Sequence, residues 1–393
     1  MRLSARAARI SESATLRVSR RAGELRASGV EIADLGAGEP DFPSPEVAVE
    51  AARKALAEGF TRYTPAAGIP ALRTAIAERY RREHDAPWTA TEVVVTVGAK
   101  AGLFELALAL FGAGDEVVLP SPYWVSFPEQ VRFAGAEPVV APTAAADGFR
   151  IEAGPVLDRL GPATRAVILN SPCNPTGGMV DAESLRAIVE GCAKVGAVLI
   201  ADETYDRFAY DGDNPSAAAL AREFPDTVVV VSSFSKTYAM TGWRLGYVIG
   251  PPSIVKAVST VQSHATSNPT SFAMVGAVAA LESAEDQVAA MIDEFRRRRD
   301  IVMRWLGSMS GVSCVQPTGS FYAFPDVSAC YTPDCPDSVS FAEYLLEKAR
   351  VAVVPGVAFD ADRHVRISFA CSRQTLDEGL GRVAAALPVT CAS

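Results

Sequence analysis

Five short runs of Val, Ile and Leu constrain this chain more than any other feature. They are EVVVTVG (92–98), DEVVLP (115–120), RAVILN (165–170), AVLIAD (197–202) and TVVVVSSFS (227–235). None alternates between apolar and polar residues. A strand with one wet face alternates, whereas a strand covered on both faces need not. The stretches between the runs have helical character. AKAGLFELALALF (99–111) is one, and in 182–196 Leu185, Ile188, Val189 and Cys192 form a single apolar stripe. Strands alternating with helices give an α/β domain, here with a mostly parallel sheet flanked by helices.

The pattern changes near residue 282. Residues 282–304 are dense in charge and predict a long, solvated helix. The run Arg296–Arg299 is expected on its surface, because four consecutive residues point around a helix and acids precede them. Short strand-like pieces follow (GVSCVQ, GSFYAFPDV, VAVVPG, HVRISFA), and then a last helix, TLDEGLGRVAAAL. These predict a smaller α+β domain. The first ~35 residues, helical up to Gly29, are expected to join it, so that both chain ends build the small domain. The expected division is 1–40 for the N-terminal arm and part of the small domain, 41–290 for the large domain, and 291–393 for the rest of the small domain.

Composition narrows the function. The 393 residues are 49% apolar, enough for a large core, and the net charge of −9 argues against nonspecific nucleic-acid binding and against a polybasic membrane contact. No run of 18 apolar residues is present. Seven cysteines with no CxxC spacing suggest reduced thiols and a cytoplasmic protein, and three scattered histidines do not suggest a metal site. The Arg- and Ser-rich start resembles a transit peptide but is read as a short amphipathic arm of the mature fold. Two GxG sequences, at 36–38 and 112–114, lack the strand before and the helix within that a dinucleotide site requires.

The chemistry gathers at the ends of the strand-like runs, where open α/β sheets bind ligands. SSFSKTYAMTGWRLGY (232–247) offers hydroxyls at Ser233 and Ser235, the amine of Lys236 and the guanidinium of Arg244. Hydroxyls and a fixed arginine suit a phosphate, and a partly desolvated lysine can form a Schiff base. Lys236 is one of only six lysines, against 31 arginines. Asp202 ends the fourth run and could keep a pyridinium nitrogen protonated, with Tyr205 three residues on as a donor to a ring oxygen. NSPCNPTGG (170–178) presents Asn174 on a loop stiffened by prolines. TVGAK (96–100) opens a helix whose first amides form an anion site. Trp124, in SPYW, is a flat surface for a ring. Arg366 lies in the otherwise apolar HVRISFA, where a ligand partner suits it better than solvent.

On LGAGEPDF (35–42), RYTPAAGIPALR (62–73), SPYWVSFPEQVRFAG (121–135), NSPCNPTGG, ADETYDRF (201–208), SFSKTYAMTGWRLGY, PTGSFYAF (317–324) and HVRISFA, the chain resembles the class I aminotransferases of pyridoxal-phosphate fold type I, close to the bacterial aspartate aminotransferases. The resemblance implies pyridoxal 5'-phosphate as cofactor and Lys236 as the Schiff-base lysine and proton shuttle. It implies Asp202 at the pyridine nitrogen, Tyr205 and Asn174 at the phenolic oxygen, and Trp124 on the ring face. Gly98, Ala99, Lys100, Ser233, Ser235 and Arg244 would surround the phosphate. Tyr63 would reach the phosphate of a neighbouring subunit, which makes the expected assembly a homodimer with shared active sites. Arg366 would grip the substrate α-carboxylate, assisted by the Gly38 backbone, with Trp124 and Asn174 beside it.

The implied reaction is ping-pong transfer of an amino group from an L-amino acid, expected to be L-aspartate, to 2-oxoglutarate. For the second carboxylate, the resemblance implies Ser13 and Thr15 in SESAT (11–15), which is similar to an N-terminal element used by bacterial relatives, while QSHATSNPTS (262–271), matching a segment from which other relatives supply an arginine, contains none. Prephenate, aromatic and aliphatic amino acids remain open as substrates, as does a lyase reaction on the same fold.

Overall fold

The computed structural model describes residues 14–387, with side chains from Arg20 onward. Ser13 lies outside the described residues, and so does the side chain of Thr15, whose backbone belongs to the helix Ala14–Ala27.

Strand β1 (Ala33–Asp34) follows that first helix. Seven strands then form the main sheet: β2 (Val93–Thr96), β3 (Glu116–Ser121), β4 (Glu137–Pro142), β5 (Thr164–Asn170), β6 (Val198–Asp202), β7 (Val228–Ser233) and β8 (Gly246–Ile249). Their order is β2-β8-β7-β6-β5-β3-β4. Only β8 runs against its neighbours β2 and β7; every other pairing is parallel. Four of the five apolar runs supply the parallel centre and the fifth supplies β2. β2 and β5 to β8 are buried almost throughout, which is why they carry no alternation.

Two strands escape the apolar-run signal. β4, EPVVAP, is an edge strand with two prolines and only one buried residue, and proline is tolerated at an edge because no partner needs its missing N–H. β8 is four residues long and follows the 3-10 turn at Thr241–Trp243.

The N-terminal and C-terminal parts of the described chain meet. β1 pairs in parallel with β10 (Val351–Ala352), and β9 (Tyr322–Ala323), β11 (Val354–Pro355) and β12 (Val365–Ser368) form an antiparallel sheet in the order β11-β12-β9.

The helix Glu285–Gly307 corrects one expectation. It is not solvated all round: Val288, Met291, Ile292, Phe295, Val302 and Leu306 form a buried stripe. Continuing that stripe by three and four residues from Phe295 lands on Arg298 and Arg299, so half of the arginine run points inward. Both are buried. Arg298 bridges Asp41 and Glu294, and Arg299 bridges Asp211 and Asp300.

Phe295 is fully buried, stacked on Phe321 at 5.3 Å between ring centroids and edge-on to Phe208 at 5.4 Å. Truncating it leaves a cavity between rings held by different elements. Phe295→Ala is expected to cost about 3–5 kcal/mol, read from the shift of the equilibrium urea unfolding midpoint.

Candidate active site

The carboxyl ends of β3, β5, β6 and β7 open into one cavity of about 1190 Å3. Lys236, Asp202, Tyr205, Asn174, Arg366 and Trp124 all line it, so the structure brings together the residues that the strand ends suggested. Ala99, Lys100, Ser233, Ser235, Arg244 and Gly38 line it too.

Lys236 lies in a one-turn helix, Phe234–Thr237, directly after β7. Its amine donates to the Gly38 carbonyl. Burial pushes the ammonium down to about 8. Glu39 opposes that shift, while Arg366, Arg244 and Lys100 add to it. A measurable consequence follows for the full chain without added ligand. Reductive methylation of Lys236, mapped by peptide mass spectrometry, is expected to rise with pH through a midpoint near 8. An ordinary lysine titrates near ~10.4.

Asp202 is the last residue of β6 and pairs in register with Asn170 at the end of β5. Its Oδ1 accepts from the Thr204 backbone N–H at 3.1 Å. Burial raises the carboxyl to about 6, so an anion at this position lacks a cation to face. Asn170 gives its side-chain amide to the Asp202 carbonyl at 3.0 Å and accepts from the Asn174 N–H at 2.8 Å. The Asn174 side-chain oxygen Oδ1 then accepts from Arg366 Nη1 at 3.0 Å. A continuous set of hydrogen bonds therefore runs from β6 across β5 to β12.

Arg366 also donates through Nη2 to the Gly36 carbonyl at 2.9 Å, and its guanidinium lies 4.2 Å from the Tyr322 ring centroid. Its Nε is buried with no partner. The side chain lines the cavity, and each of Nη1 and Nη2 keeps a second N–H beyond these bonds, so this planar cation suits a carboxylate. Tyr205 meets Tyr322, hydroxyl to hydroxyl, at 3.0 Å, and burial raises its phenol well above the ordinary value, so it stays protonated and can donate.

A second corner suits an oxyanion. Gly98 has φ of 81° and precedes the helix Ala99–Leu110, which begins without a side-chain cap. First-turn amides at such a start attract anions. A Cβ at Gly98 would collide with the Arg244 guanidinium, so only glycine lets that arginine approach. Arg244 Nη1 donates to the Thr241 carbonyl at 2.9 Å. The Ser233 hydroxyl is buried without a partner, an orphan that an oxyanion would satisfy. The Lys100 ammonium lies 4.8 Å from the Trp124 ring centroid, and burial followed by repulsion from Arg244 lowers its pKa. Hydroxyl, guanidinium and helix amides fit a phosphate, and the Asp202–Tyr205 corner fits a ring bearing nitrogen and oxygen.

Tyr63 is not part of this cavity. It is 90% exposed. The structure adds Asn170, Tyr322, Gly36 and Glu39 to the site. All four sit inside the motifs NSPCNPTGG, PTGSFYAF and LGAGEPDF, but no property of the residues alone singled them out.

The family model for aminotransferase class I and II matches residues 30–383. A probable aspartate/prephenate aminotransferase of Aquifex aeolicus is 44% identical over 388 residues, covering 98% of each chain. An aspartate aminotransferase of Geobacillus stearothermophilus is 41% identical over 385 residues, again covering 98% of each. The solved aspartate aminotransferase of Thermus thermophilus with maleate superposes with a TM-score of 0.93 at 43% identity, covering 98% of this chain and 100% of that one.

Proposed function

The chain belongs to the class I and II aminotransferases, and from that premise we propose that it transfers the amino group of L-aspartate to 2-oxoglutarate by a ping-pong route, with pyridoxal 5'-phosphate carried on Lys236. One observation carries this reading: a single cavity holds a buried amine, a buried strand-end carboxylate and a buried arginine with an unspent donor.

Bound pyridoxal phosphate supplies an aldehyde that bonds reversibly to amines and a ring that accepts electrons when its nitrogen is protonated. The chain supplies the rest. Asp202 faces the ring nitrogen, where a cation offsets the burial that raises its pKa. Tyr205 donates to the ring oxygen, with Asn174 beside it, and Trp124 covers the ring face. Gly98, Ala99, Lys100, Ser233, Ser235 and Arg244 hold the phosphate. Arg366, oriented by Asn174 and with Gly38 nearby, takes the α-carboxylate. The Lys236 amine, when not bonded to the cofactor, would move the α-proton, and its lowered pKa leaves an unprotonated fraction at neutral pH to do so.

Further parts of the proposal concern assembly and substrate. Tyr63, exposed in a single chain, reaches the phosphate of a second subunit in a homodimer. Ser13 and Thr15 meet the second carboxylate of the substrate. In the division 1–40, 41–290 and 291–393, the β1–β10 pairing supports the joining of the first and last pieces in one small domain, while the helix Glu285–Gly307 runs across the boundary at 290. The reduced thiols suit the cytoplasm, and among the described residues no helix is long and apolar enough to cross a membrane. Prephenate is a second acceptor to test, because relatives from Aquifex aeolicus and Thermus thermophilus, 44% and 43% identical, carry it in their names.

The test is an absorbance spectrum of the protein loaded with pyridoxal phosphate, taken before and after L-aspartate is added without keto acid. The expected result is loss of the visible band and growth of the amino form of the cofactor. A band that aspartate leaves unmoved would remove aspartate as donor. No band at all would overturn the cofactor assignment.

A further inference from the structure

We propose that Arg298, a member of the arginine run on the helix Glu285–Gly307, is a positioning residue for the reaction: by holding Asp41 it keeps segment 36–42 seated on Lys236 and Arg366. The inference rests on the proposed roles of those two residues.

Segment 36–42 touches both. The Gly36 carbonyl accepts from Arg366 at 2.9 Å, and the Gly38 carbonyl accepts from the Lys236 amine. Glu39, between them and the anchor, accepts from Thr241 at 2.8 Å and bears on the titration of Lys236. Two anchors hold the ends of the segment. At the start, the Leu35 N–H donates to the Ala352 carbonyl at 2.9 Å, beside the β1–β10 pair. At the end, Arg298 Nη1 donates to Asp41 Oδ1 at 2.6 Å. The same guanidinium lies 4.9 Å from the Phe42 ring centroid, and Phe42 packs on Phe295 at 5.5 Å. Arg298 is itself fixed, donating through Nε to Glu294 at 3.1 Å; hydrogen bonds from Arg373, then Arg298, hold the Glu294 carboxyl down at about 2.

Stability alone explains this arrangement poorly. Arg298 is 6% exposed, and a buried ion pair is often no more stabilising than apolar residues of the same size. What the pair does supply is a directed bond to one residue of a segment that otherwise offers its backbone to the site. Without it, the carbonyls of Gly36 and Gly38 depend on the first anchor, on the Thr241–Glu39 bond, on Phe42 packing and, beyond the segment, on the bonds of Gln287 to Pro43 and of Ser44 to Ala239 and Trp243. Small displacements of groups that orient substrate cost turnover heavily.

The experiment compares Arg298→Met, Asp41→Asn and Arg373→Gln as full chains. Kinetics use the loaded enzyme, and methylation of Lys236 against pH uses the chain without cofactor. In Arg298→Met and Asp41→Asn, kcat/KM for the amino acid is expected to fall about tenfold, most of it through KM. The Lys236 midpoint is expected to shift by about 0.5–1 pH unit, because loosening the segment changes both the burial that depresses it and the Gly38 carbonyl and Glu39 carboxylate that oppose the depression. The other charged groups facing Lys236, namely Arg366, Arg244 and Lys100, are unchanged in these variants, and Glu39 moves with the segment. Arg373→Gln, which removes an outer partner of Glu294, is expected to stay within about twofold in both measurements. Asp41 is the more exposed end of the pair, so Asp41→Asn carries the test if Arg298→Met does not fold. Wild-type KM and a wild-type Lys236 midpoint, per folded molecule, would overturn the proposal. Failure of the underlying reading looks different: Lys236→Ala would retain turnover, while the response of the Lys236 midpoint is read without any cofactor.

Discussion

Lys236→Ala is expected to lower transamination by at least about 10⁴-fold while leaving a folded and somewhat more stable protein. The loss follows because no other lysine in the cavity replaces it: Lys100 lies against Trp124 at the phosphate corner, with its ammonium 4.8 Å from the ring centroid. A proton-transfer group alone accounts for about 10²–10⁴, and losing the amine that carries the cofactor adds to it. The stability change has a definite sign. Burial depresses the folded pKa of Lys236 to about 8, below its unfolded value, so below pH 8 the folded chain bears the cost of a buried ammonium. That cost fades as pH rises from about 8 to the unfolded value near ~10.4, where both states are deprotonated. The unliganded wild-type chain therefore gains stability over this interval relative to Lys236→Ala. Thermal unfolding of both proteins at pH 7 and pH 10 checks it. Equal midpoint differences at the two pH values would contradict the burial of the amine, and retained turnover would contradict its role.

Arg366→Met is expected to lower kcat/KM for the amino acid by about 10³-fold, mainly through KM. The guanidinium is buried, bonded to Asn174 and Gly36, and stacked on Tyr322, so it is already oriented and desolvated when its uncommitted N–H groups meet a carboxylate. Charge-assisted pairs in such places are worth about 3–5 kcal/mol on removal of one partner. Arg366→Lys is expected to recover little of it, since one ammonium cannot reach Asn174, Gly36 and the substrate together. Steady-state kinetics with aspartate and with an amine lacking the α-carboxylate separate the effect: the discrimination between the two should collapse in both variants. An unchanged preference would place the α-carboxylate elsewhere.

The parts of the site that could be read in advance are those where chemistry sits within a few residues of a strand end. Asp202 ends β6, and Lys236 follows β7 by three residues. The Val-rich runs located those ends because a strand covered on both faces has no freedom to alternate. Arg244 and Gly98 were named separately, but their mutual fit, in which a side chain at 98 would exclude the guanidinium, was not visible. Nor was Tyr322, whose place under Arg366 depends on β9 pairing with β12.

The amino-acid sequence by itself determined the α/β alternation, the strand ends and which residue types stand at them, because hydrophobic period and turn chemistry act over a few residues. Tertiary structure alone decided who meets whom across the chain. Lys236 reaches Gly38 over 198 residues, Arg298 reaches Asp41 over 257, and Arg366 reaches Gly36 over 330. It also decided that an arginine run which looks like a wet surface turns two of its guanidinium groups inward. A charged side chain has no local preference for burial. It goes inside only when folding brings an opposite charge and an aromatic wall to the same place, and no short stretch of sequence records that meeting.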